Sequence, residues 1–105
     1  MKNMVYALPL IEVDVEELSK AYSGFLVASI ACISSVHITN ESNIPVIVSF
    51  DGAQDHDIVS AKSRIDIDFP DSNKGFLRMD GYYLKAESSG SGKVYIATYA
   101  FHMGV

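Results

Sequence analysis

The sequence predicts an all-β fold, an antiparallel β-sandwich or jelly-roll-like barrel with at most one short helical turn. Three observations carry this. The apolar segments are short and rich in β-branched residues. One of them, RIDIDF at 64–69, alternates with a period of two. Turn signals (NESN, DG, PDSNKG, ESSGSGK) punctuate these segments, as in sandwiches and barrels.

The elements follow in order. In LIEVDV (10–15), Ile11, Val13 and Val15 alternate with Leu10, Glu12 and Asp14, which predicts a strand. Asp14 and Glu17 are spaced like a capping box, so a turn or two of helix is expected in VEELSKAY before Gly24. The apolar run FLVASIACI (25–33) and VHIT (36–39) are expected to form one long or bent strand around Ser34 and Ser35. NESN (40–43) is a loop of side chains that bond their own backbone. IPVIVSF (44–50) is a strand, with Pro45 at its start or on a sheet edge because proline lacks an N–H.

In RIDIDF, Ile65, Ile67 and Phe69 point to the core, while Arg64, Asp66 and Asp68 point to water. Pro70 ends that strand, and a short strand is expected over 76–79. YYLKA (82–86) and VYIATYAF (94–101) flank a Gly/Ser-rich turn and read as a hairpin.

At 105 residues the chain is expected to be a single β-sandwich domain, 1–105, with residues 1–10 either an N-terminal arm or a core strand. The net charge is −5 and the lysines and arginines are scattered. Nucleic acid and anionic membranes, which need clustered cations, are therefore not expected partners. The one cysteine, Cys32, lies in an apolar run and reads as a core residue. The N-terminus does not resemble a signal peptide, and no apolar run is long enough to cross a bilayer, so synthesis in a reducing cytoplasm is expected.

The densest polar cluster is SFDGAQDHDIVSA (49–61), which contains Asp51, Asp55, His56 and Asp57. A calcium loop would need alternating acids and a closing Glu, and both are missing. A zinc site would need further His or Cys ligands, and His37 and His102 are distant in sequence. Asp-Gly is a reversal signal, and short acids cap loop N–H groups. Asp51, Gly52, Asp55 and His56 are therefore expected to form a structural turn, with no metal and no cofactor. No serine sits in a nucleophile elbow, GSG at 90–92 lacks the features of a phosphate loop, and Asp66 and Asp68 lie side by side on a wet strand face. The chain is not expected to be an enzyme.

Residues 46–75 and 83–99 resemble a type of small tailed-bacteriophage virion protein. The likeness is carried by Ser49-Phe50-Asp51-Gly52, by Asp55-His56, by Asp68 and Asn73, and by the terminal Tyr83, Lys85, Gly90-Ser91-Gly92, Val94 and Tyr95. SAK at 60–62 departs from the Pro-Ala-Gly-like turn of that type, and the first 40 residues match only in general character. The resemblance implies a virion structural protein, either a capsid decoration (cement) or a head–tail interface subunit. Its implied partners are other virion proteins (capsid, portal or tail subunits) and further copies of itself.

Two apolar ends are the expected contact sites: Tyr6, Leu8 and Leu10 at the N-terminus, and Phe101 and Met103 at the C-terminus. The alternative is a carbohydrate- or receptor-binding module of a tail fibre, using Tyr82 or Tyr83 with Asp66 and Asp68.

Overall fold

The computed structural model describes residues 5–26, 32–68 and 81–101. Within them the strands are β1 (Val5–Ala7), β2 (Ile11–Asp14), β3 (Ser23–Leu26), β4 (Cys32–Asn40), β5 (Val46–Ser49), β6 (Asp57–Val59), β7 (Ser63–Asp68), β8 (Gly81–Lys85) and β9 (Lys93–Phe101). Helix among the described residues is limited to one 3-10 turn, Val15–Glu17. Asp14 caps this turn by accepting the Glu16 N–H at 3.0 Å. The turn is shorter than expected because Leu18 already has extended backbone.

All pairings are antiparallel, in two sheets. The first sheet runs β1/β2–β9–β4–β7 and the second β3–β8–β5–β6. β1 and β2 pair with successive stretches of β9 and behave as one interrupted edge strand. Counted so, the chain is a ribbon rolled about its β5–β6 tip. β4 then meets β7, β3 meets β8, and β1/β2 meet β9. This is the jelly-roll order.

The inner faces meet in one apolar cluster. Val36, Ile38, Val46, Val48, Leu84, Val94 and Ile96 are fully buried there. β7 shows the expected alternation, but Ile65 and Ile67 are only half-buried because their strand ends the sheet. Phe69 and residues 76–79 lie outside the described residues.

Three expectations are corrected. The segments 82–86 and 94–101 are not a hairpin: β8 and β9 lie in opposite sheets. The Gly/Ser-rich stretch between them crosses the sandwich and docks on the β4–β5 loop. Asn43 N–H donates to Ser91 O at 3.1 Å, and Asn43 Oδ1 accepts from Ser91 N–H at 2.9 Å. Gly92 has φ +111°, and a Cβ there would lie 2.6 Å from Ser42 Cα, so only glycine fits.

The run 25–39 is not one strand, since β3 and β4 also belong to different sheets. The bend foreseen near Ser34 is a bulge inside β4, where the pairing with β9 shifts between Ile33 and Ser35.

Residues 5–8 of the expected arm bond to the chain's own sheet, and residues 1–4 lie outside the described residues. Residues 5–7 pair with 99–101 of β9, and Leu8 N–H donates to Thr98 O at 2.9 Å. Ala7 faces Tyr99 and Ile11 faces Ile96, so residues 8–10 hold one more residue than the stretch of β9 opposite. Pro9 sits in this bulge, where its missing donor interrupts nothing.

Candidate functional site

The acidic stretch joins β5 to β6 at the tip of the rolled ribbon. Gly52 adopts φ +74°, as a reversal after Asp51 requires. Asp51 Oδ1 accepts the N–H groups of Ala53 at 2.8 Å and Gln54 at 3.0 Å, and the Ser49 hydroxyl at 3.0 Å. These two backbone bonds, with Ser49 helping, lower the Asp51 carboxyl to a pKa of about 2. His56 closes the loop: its Nδ1 accepts the Phe50 N–H at 2.9 Å, and its ring stacks on Phe50.

Asp55 ties the tip to the rest of its sheet. It accepts from the Tyr22 hydroxyl and pairs with Lys85 Nζ at 3.0 Å, while Lys85 also lies 4.6 Å above the Tyr22 ring centre. The Tyr22 hydrogen bond first, then Lys85, hold its carboxyl below the usual range. Tyr83 packs on Gly52 and on its cross-strand partner Gly24; a Cβ on either would come within about 3.1 Å of the ring. Asp51, Gly52, Asp55 and His56 thus lie in one hydrogen-bonded loop between β5 and β6. Among the described residues no three His, Cys, Asp or Glu side chains converge as metal ligands would.

The residues named for sugar binding are separated. Tyr82 is fully buried in the core. Tyr83 lies on the outer face of the second sheet, whereas Asp66 and Asp68 lie on the outer face of the first. No single ligand can touch Tyr83 and Asp66 across the sandwich.

Of the expected contact residues, Tyr6, Leu8 and Leu10 fall along the β1/β2 edge of the first sheet, whereas Phe101 lies on the inner strand β9. Tyr6 pairs with Ala100 and Phe101 with Val5. Leu8 is half-buried beside Thr98. Leu10 stands in the bulge with 61 % of its surface exposed, the most exposed large hydrophobic residue described. Met103 lies outside the described residues.

Two polar constellations escaped the sequence reading. The first is buried around Asn40. Its Nδ2 donates to the carbonyls of Ile44 at 2.8 Å, Val59 at 2.9 Å and Ser60 at 3.2 Å. Its Oδ1 accepts from Ser42 N–H at 3.0 Å and from Ser42 Oγ at 2.5 Å. One amide thereby fixes the β4–β5 loop against the β6–β7 turn. The only signal was NESN, which marks a loop but not its burial.

The second lies on the outer face of the first sheet. Asp66 Oδ1 sits 2.5 Å from His37 Nδ1 and 2.7 Å from Arg64 Nε, and the His37 ring meets Tyr99 edge-on at 5.8 Å. The His37 hydrogen bond, then Arg64, hold the Asp66 carboxyl below its ordinary value. His37 and Asp66 are cross-strand partners, a pairing that becomes visible only once β4 and β7 are aligned.

No known protein family, curated protein or solved structure matches the chain. Among the described residues no helix is long and apolar enough to cross a membrane.

Proposed function

We propose that this chain is a structural subunit of a tailed-phage particle, a capsid decoration or head–tail interface protein that acts by protein–protein contact. The carrying observation is Leu10, held out at 61 % exposure by the Pro9 bulge on a sheet edge. On this reading a partner covers Leu10, an exposed apolar side chain on the sheet edge. The likeness of residues 46–75 and 83–99 to small virion proteins supports the same reading. So does the use of the acidic stretch, whose acids and histidine are tied into the loop and its sheet.

On this proposal the chain acts without cofactor and in multiple copies. It joins capsid, portal or tail subunits in the virion after synthesis in the host cytoplasm. Weak contacts of this kind gain strength by repetition.

Co-sedimentation with purified heads and tails tests it. Wild-type protein should pellet with one of them. Leu10→Asp should keep the wild-type melting temperature, because the side chain is outside the core, and should lose most of the binding. Equal binding by the variant would remove Leu10 as the contact, and no binding by the wild type would sink the proposal.

A further inference from the structure

We infer that β7 is a self-complementary edge through which two copies of this chain pair, antiparallel, about a two-fold axis at Ile65.

β7 ends the first sheet: it pairs with β4 on one side, and among the described residues no strand pairs with its other side. Its inward side chains show the consequence. Ile65 and Ile67 pack on the core but stay half-exposed, while their cross-strand neighbours Ile38 and Val36 are fully buried. A further strand along β7 would cover them.

Charges on an edge strand usually ward off pairing. Here their order favours one register over its neighbours. Directly opposite residues of an antiparallel pair share a face, so like charges placed opposite repel. A register centred on Asp66 sets that carboxylate against its own copy and keeps only the two Arg64–Asp68 pairs. One centred on Ile67 sets Asp66 against Asp68.

Centred on Ile65, the register sets Arg64 opposite Asp66 of the second copy, twice by symmetry. Lys62, just before the strand, then falls opposite Asp68 of the second copy. Both members of the central pair are accessible, with Arg64 at 55 % and Asp66 at 44 % side-chain exposure. Ile65 meets its own copy on the inner face, and the two first sheets join into one continuous sheet. The occupant is thus a second copy of this chain, because the charge order complements itself.

The inference does not depend on the particle reading. Its test uses the full chain, with light scattering over a concentration series and mild oxidation of single-cysteine variants in a Cys32→Ser background. Wild-type protein should shift from monomer to dimer as concentration rises. Arg64→Asp or Asp66→Arg alone should weaken the dimer about tenfold, and the two together should restore it.

Ile65→Cys should cross-link readily, because opposite Cα atoms about 4.5–5.5 Å apart suit a disulfide. Ser63→Cys should not, since its copies would lie roughly 13 Å apart. Circular dichroism of each variant confirms that the monomer is folded. A protein that stays monomeric without selective cross-linking at 65 overturns the inference. So does a dimer indifferent to the single charge reversals, or equal cross-linking at 63 and 65.

Discussion

Tyr82 and Thr98 join the two sheets through the middle of the core. The hydroxyl of Tyr82, on β8, lies 2.6 Å from Thr98 Oγ1, on β9, and both residues are buried. Each satisfies a polar group that would otherwise stand alone among aliphatic side chains. The Phe50 ring meets Tyr82 edge-on at 6.1 Å, so the hairpin tip packs against the same bridge.

Removing one half of the bridge should cost more than removing both. Tyr82→Phe is expected to lower stability by about 1–2 kcal/mol, and Thr98→Val by about 1–3 kcal/mol because it leaves the phenol unpaired. The double variant should lose less than the sum, which urea unfolding of all four proteins would measure. Burial also raises the Tyr82 pKa to about 12 from 10.0, against a smaller opposing effect of the Thr98 hydrogen bond. The folded state therefore holds this proton more tightly. The associated stability is complete below pH 10 and is lost as pH rises towards 12. Tyr82→Phe should flatten that decline.

Asn40→Asp is the most damaging isosteric change expected. It removes the donor shared by the carbonyls of Ile44, Val59 and Ser60 and turns a buried carboxylate towards them. An unpaired buried charge of this kind costs about 3–5 kcal/mol. The loss should shrink as pH falls, because a protonated carboxyl regains one donor. Denaturant titrations at pH 7.5 and pH 4.5 check both the size and the direction.

Asp51→Asn should be mildly destabilising at neutral pH, since the amide oxygen can accept the same N–H groups of Ala53 and Gln54 but lacks the charge that strengthens those bonds. Asp51→Ala should lower the melting temperature. The Asp51 pKa is lowered to about 2 from 3.8, so the ionised form favours the fold. That contribution is present above about pH 4 and fades as pH falls to 2. The Asn variant should lack this acid-dependent part in thermal melts across that range.

Ile67→Ala on the edge strand should cost about 1–3 kcal/mol, and Ile38→Ala, fully buried on β4, about 2–5 kcal/mol. The difference measures how much cover β7 lacks, and chemical unfolding of the two variants at low protein concentration would report it.

Much of this fold was legible because it is written locally. Period-two alternation marked β7, Pro45 marked the start of β5, and Asp51-Gly52 marked the β5–β6 tip, where neighbouring strands are also neighbours in sequence. Pairings further out on the rolled ribbon leave no local trace. A Gly/Ser-rich stretch between two apolar runs looks the same whether it turns a hairpin or crosses the sandwich, so β8 and β9 were mispaired. The bulge at Pro9 was half visible. Proline excluded a central strand, but an edge strand with one extra residue satisfies the same constraint as a free arm. Asn40 and the His37–Asp66–Arg64 cluster needed the register, which places residues far apart in sequence side by side.

Quantitative mass spectrometry of purified particles, produced by the genome that encodes this chain, tests the proposed place in a phage particle. The chain should be present at a fixed ratio to the major capsid protein or to the tail subunits, through repeated purification. Its absence from particles that are otherwise complete and infectious would contradict the account.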